Sequence, residues 1–145
     1  MPPRQSRRAQ AVILAAIAAG GVLGALARYG ITLALPSSSD QFPADILLVN
    51  LSGSFALGLL LILFLEQFPA GRLARPIVGA GFLGAYTTFS TFAVQAVLLI
   101  RADHPWIAVA YVVASVVGGL AALGLGVVSA RLLVRIERWL QGQAG

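Results

Sequence analysis

Four stretches of the chain stay apolar for long enough to cross a bilayer, at residues 11–35, 46–65, 76–100 and 106–130. A helix rising about 1.5 Å per residue needs roughly 20 residues to cross a hydrocarbon core of ~30 Å. The second stretch has that length and the others exceed it, which suits some tilt. Polar positions gather in the short connectors between them, at 36–45, 66–75 and 101–105. The pattern predicts one all-α domain over 1–145: four membrane-spanning helices, brief loops and nothing large outside the bilayer. The opening "RQSRRAQ" and the apolar run after it also have the make-up of a secretory signal peptide. The length of the run, and the interfacial pair Arg28–Tyr29 near its far end, favour a span.

Charge refines this picture. Only 10% of residues are charged, against about 25% in a soluble domain. The net charge of +5 comes from ten arginines and no lysine. Arg4, Arg7, Arg8, Arg72, Arg75, Arg131, Arg135 and Arg138 fall on one side of the four spans, and only Arg28 and Arg101 on the other. The positive-inside rule then places both termini in the cytoplasm of a plasma (inner) membrane protein. Arginines at span edges suit anionic lipid headgroups, and no soluble basic face remains for nucleic acid.

The candidate chemistry is narrow. There is no cysteine, and the single histidine, His104, stands beside Pro105 in a connector. Spans two, three and four hold no Asp, Glu, Lys, Arg or His, while Asp45 and Glu66 flank span two. A carboxylate pair, a metal-ligand cluster and a nucleophile with its base are all lacking, which disfavours a membrane enzyme. A proton-coupled carrier lacks the buried carboxylate it would use.

What the spans do carry is neutral and hydrogen-bonding. Asn50 and Ser54 lie one turn apart in span two, as do Tyr111 and Ser115 in span four. Span three holds "GAYTTFSTF", residues 84–92, followed by Gln95. A lone serine or threonine usually bonds back to its own helix, and Asn50 or Tyr111 could bridge helices instead of lining a path. The cluster is different. β-Branched hydroxyl residues after Gly81 and Gly84 make a poor regular helix, which predicts a break near the middle of span three. Irregular backbone at that depth persists only when buried or lining a cavity, and freed carbonyls there suit a cation such as Na⁺. Phe89 and Phe92, three apart, share a face and offer electropositive ring edges. Ring edges, amide and hydroxyl donors without a cation suit a small, strongly hydrated anion in transit.

Thirteen of the sixteen glycines lie in the spans, several in small-xxx-small pairs such as Gly20/Gly24, Ser54/Gly58, Ala80/Gly84 and Ser115/Gly119. Four thin helices pack tightly and enclose no pore by themselves. A symmetrical pathway would need a second subunit.

These blocks resemble the Fluc/CrcB family of fluoride ion channels. "GGVLGALARY" (20–29) in span one, "VNLSGSFALG" (49–58) in span two and "GFLGAYTTFSTF" (81–92) in span three follow its order, with Tyr111 and Ser115 at its spacing in span four. The resemblance covers roughly residues 12 to 135. It implies a passive channel that exports fluoride, built as an antiparallel dimer with two pores and a central structural Na⁺. By the same resemblance Phe89 and Phe92 contact the ion, and Asn50, Ser90, Thr91, Tyr111 and Ser115 continue the polar track. The Na⁺ falls to the backbone carbonyls of Gly84 and Thr87, and Arg28 to a vestibule or to an interfacial anchor. Two departures stand out: Asp45–Ile46 where the family has Gly-Thr, and Gly119 where a hydroxyl is common. The eight-to-two arginine bias also predicts one fixed orientation. The partner is then an oppositely oriented paralogue, the alternative to a homodimer. Two other readings are a small proton-coupled multidrug exporter, which needs a first-span carboxylate, and a structural membrane subunit.

Overall fold

The computed structural model describes residues 7–38, 41–66 and 73–143. Arg4 and Arg72, counted above for orientation, lie outside the described residues, as does the Glu66 side chain. Helix α1 spans Arg7–Ala34 and α2 spans Ala44–Glu66. The third span opens as a π-helical segment, Pro76–Leu83, and runs into the single turn α3, Gly84–Tyr86. It resumes after a gap as α4, Ser90–Arg101, and α5 follows at Pro105–Gln143. All four spans are long and apolar enough to cross a membrane, and this is a multi-pass membrane protein.

The spans pack as two parallel pairs, and glycine sets both contacts. Gly20 and Gly24 of α1 lie against the backbone of Ile77 and Phe82, while a side chain at Gly81 would meet the Ile17 carbonyl at 2.6 Å. In the second pair a methyl at Gly58 of α2 would collide with the Leu123 carbonyl, and one at Gly126 of α5 with the Phe55 carbonyl. Each glycine thus lets one backbone touch the other, as small residues do in membranes. We expect Gly126→Ala to destabilise the fold by roughly 1–3 kcal/mol, read as a lower melting temperature in detergent. Alanine gains about 1 kcal/mol of helix propensity, but the obstructing atoms are backbone and have no rotamer through which to yield.

Two features differ from the sequence expectation. The first half of span three is a π-helix, in which the Gly84 N–H reaches back to the Gly79 carbonyl, five residues earlier. Also, α5 does not stop near residue 130. Its 39 residues extend about 58 Å, and Ala130 and Val134 are still buried against the bundle. A span read from apolarity ends where arginines begin, but a helix does not. Arg131, Arg135 and Arg138 are good helix formers, and no proline interrupts them. At the opposite end of the bundle Leu99, Ala108 and Tyr111 form the buried core, joined by Phe92, Leu47 and Ala96.

Candidate functional site

The expected break in span three lies between α3 and α4. Thr87 leaves the helix with φ −74° and ψ 157°, an extended conformation that turns the chain out of register. Gly53 of α2 lies beside it, with no room for a β-carbon against the Thr87 methyl.

The break is held from α2. Asn50 Oδ1 accepts the Thr88 N–H at 2.9 Å, and Asn50 Nδ2 donates to the Thr88 carbonyl at 3.0 Å. One side-chain amide therefore satisfies both backbone groups of a residue that has left its helix. Buried backbone groups at membrane depth must find such partners. Thr88 is itself buried, and its hydroxyl organises the restart of the span. It accepts the Thr91 N–H at 3.2 Å, donates to Thr91 Oγ1 at 3.1 Å and lies 3.3 Å from Ser90 Oγ. This is the capping role of a hydroxyl before a helix N-terminus. A second tie runs from α2 to α3: Ser52 Oγ and the Tyr86 hydroxyl are 2.7 Å apart.

The clamp has a consequence for the broken helix end. Because the Thr88 N–H is engaged by Asn50, it does not reach the Gly84 carbonyl four residues back. The Thr91 N–H, likewise engaged by Thr88 Oγ1, does not reach the Thr87 carbonyl. The Gly84 and Thr87 carbonyls thus lose the donors that a continuous helix would give them.

Around the break lies an open groove of about 460 Å³, lined by Asn50, Ser54, Gly84, Thr87, Phe89, Phe92 and Ser115 among others. None of its lining residues is charged. Ser115 Oγ is buried there without a hydrogen-bond partner, unlike Ser52 and Thr87, which bond back to Leu48 and Leu83 in their own spans. An aromatic series leads away from the groove. Phe89 and Phe92 have ring centroids 5.8 Å apart, and Phe92 is 5.2 Å from Tyr111. Tyr111 is fully buried, meets Phe42 edge-on at 5.7 Å and donates its hydroxyl to Gln95 Oε1 at 3.0 Å.

Most of the residues singled out from the sequence thus converge. Asn50, Gly84, Thr87, Phe89, Phe92 and Ser115 border one groove; Ser90 and Thr91 share the Thr88 hydroxyl; Tyr111 stands behind Phe92. Arg28 on α1 does not line the groove. Thr88 is the residue that sequence reasoning left without a role of its own. Its signal was present, a hydroxyl three residues before Thr91 at a helix restart. Gln95 gained its place only through Tyr111, sixteen positions away.

The architecture agrees with what comparison with known proteins finds. Residues 15–127 match the family model described as CrcB-like protein, Camphor Resistance (CrcB). A "Fluoride-specific ion channel FluC 3" of Streptomyces avermitilis is 45% identical over 120 residues, covering 83% of this chain and 59% of that relative. The chain therefore spans under two thirds of that relative's length. The "Fluoride-specific ion channel FluC" of Saccharophagus degradans is 39% identical over 123 residues, covering 85% and 92%. "Fluoride-specific ion channel FluC 1" of Streptomyces coelicolor is 37% identical over 140 residues, covering 97% and 89%. With four spans, a broken third helix and these matches along most of its length, the chain belongs to the CrcB-like family.

Proposed function

We propose that this chain is a subunit of a passive, fluoride-selective channel that lets the anion leave the cytoplasm across the plasma membrane. The reading is carried by the uncharged groove at the break, lined by the Phe89 and Phe92 rings and by the unpartnered Ser115 hydroxyl, in a chain whose relatives are named fluoride-specific channels. Fluoride holds its water tightly. Several weak donors in sequence replace that water one contact at a time, whereas a fixed cation would hold the ion too strongly to release it. Hydrogen fluoride enters cells as the neutral acid and ionises inside, so a pore for the anion lowers its toxicity without coupling to protons. The protein is a channel and carries out no catalysis.

The groove is open, and Phe89 is 80% exposed. In this reading a second subunit, inserted in the opposite orientation, covers that face and makes two parallel pores. Both termini face the cytoplasm in the subunit described. The partner is a second copy or a paralogue. The arginine bias favours the paralogue, and two of the relatives, FluC 2 and FluC 3, occur together in Streptomyces avermitilis. Epitope tags on the termini decide it: tags on one face alone support the paralogue, and tags on both faces in comparable amounts support a homodimer.

The break also fits a Na⁺ ion. The carbonyls of Gly84 and Thr87 lack their helical donors because Thr88 is clamped by Asn50 and caps Thr91, and hard oxygen donors suit that cation. Bound there, Na⁺ would supply positive charge to tie carbonyls of two subunits together. Replacing Na⁺ with a large organic cation is expected to lower the melting temperature of the assembly. The loss is about 2.7 kcal/mol if Na⁺ had been present at a hundred times its dissociation constant. An unchanged melting temperature would remove the ion from the account.

The function is tested with purified protein in vesicles loaded with fluoride and chloride, followed by ion-selective electrodes. Fluoride should leave rapidly without a pH gradient while chloride stays. Release that requires a pH gradient would support the exporter instead. If the chain alone is silent, co-reconstitution with a paralogue should restore release.

A further inference from the structure

Asp45 is a buried carboxylate that nothing in the pathway described so far uses. It stands in the first turn of α2, where an acid suits the helix N-terminus, but it is only 5% exposed. Its Oδ1 accepts the Ser37 hydroxyl at 3.0 Å. Among the described residues no arginine pairs with it. A buried carboxylate without a cation is costly, and ionisable groups retained at the edge of a membrane domain commonly serve the transported species.

Its surroundings place it at the outer end of the track. Ser37, which holds it, also lines a second cavity of about 160 Å³ together with Ser38, Gln41 and Gln95. Gln95 is the acceptor of the Tyr111 hydroxyl, and Tyr111 also meets Phe42, three residues before Asp45, edge-on. The order from groove to water is therefore Phe89, Phe92, Tyr111 with Gln95, and then the outer cavity beside Ser37 and Asp45.

We propose that Asp45 sets the rate of this channel: its negative charge opposes an anion passing Tyr111 and the outer cavity, holding flux below what the neutral track allows. The inference rests on the fluoride-channel reading. Asp45→Asn isolates the effect, because asparagine keeps an oxygen acceptor for Ser37 and nearly the same volume while losing the charge. Ser37→Ala is the complement, removing the hydrogen bond and keeping the charge. A unit charge about 10 Å from the ion, screened as is typical inside proteins, changes a rate by roughly tenfold.

The experiment is fluoride efflux from vesicles containing the assembled protein, wild type beside both variants, with melting temperatures to confirm the fold. Wild type should conduct, Asp45→Asn should conduct about tenfold faster, and Ser37→Ala should not speed up. Equal or slower flux in a folded Asp45→Asn protein, with wild type conducting, overturns the role of Asp45 and leaves the channel reading intact. Equal acceleration in both variants also overturns it, since loosening of the α1–α2 connector would then be the cause. Wild type that passes no fluoride, with or without a paralogue, overturns the channel reading and this inference with it.

Discussion

Replacing Asn50 with aspartate is expected to stop fluoride flux while leaving four membrane-spanning helices in place. The carboxylate still accepts the Thr88 N–H, but its second oxygen now faces the Thr88 carbonyl that Asn50 Nδ2 serves at 3.0 Å. A donor becomes a negative charge against a carbonyl oxygen in a site with little water. A buried group left unsatisfied costs about 1–3 kcal/mol, and more when charged. Taking about 3 kcal/mol, the population of correctly closed breaks falls by roughly two orders of magnitude. Asn50→Ala loses both bonds without adding charge and should fall between that variant and wild type. Efflux rates measure this, and circular dichroism confirms that the helices persist. If Asn50 served only to donate to the passing ion, both variants would keep the stabilisation by Na⁺ and lose only flux. If it clamps the break, both variants lose the stabilisation by Na⁺ as well as the flux.

Phe89→Ile and Phe92→Ile carry the second large effect, and the two should separate in stability. Phe89 is 80% exposed in the single chain, so replacing it costs the subunit fold little. Phe92 packs against the buried core beside Tyr111, and its loss should also lower the melting temperature. Both remove an aromatic ring from the groove lining. At roughly 0.5–1.5 kcal/mol for each aromatic contact, the double variant should lose roughly ten- to a hundredfold in fluoride flux. Fluoride flux that survives in a folded double variant would take the rings out of the pathway.

Much of this arrangement could be read from the residues, and the parts that could not have a common cause. Spans are legible because composition alone decides whether a helix tolerates lipid. The break was legible because Thr87, Thr88 and Thr91 compete with helical bonding and Gly81 and Gly84 weaken it. Its stabiliser was not. Asn50 is 38 positions from Thr88, and a side chain's partner across that distance depends on helix rotation, which apolar spans with little asymmetry leave undetermined. The π-helical turn was hidden for the same reason: it coincides with the contact of Gly20 and Gly24 on Ile77 and Phe82, a tertiary event that no periodicity in "PIVGAGFLG" announces. The overrun of α5 had a different origin, since hydropathy marks the edge of the bilayer and not the end of a helix.

Asp45 stands apart from the uncharged lining of the groove. Its buried carboxylate is held by Ser37, which lines a cavity together with Gln95. Under the proposed reading the neutral groove would choose the ion and Asp45 would set its rate.

The most direct measurement is the reversal potential of the assembled protein in a planar bilayer, with fluoride and chloride gradients running in opposite directions and Na⁺ on both sides. Current that reverses at the fluoride equilibrium potential is the expected result. Reversal at the chloride or cation potential, or a folded assembly that passes no current, would contradict a neutral break in the third span as the path for fluoride.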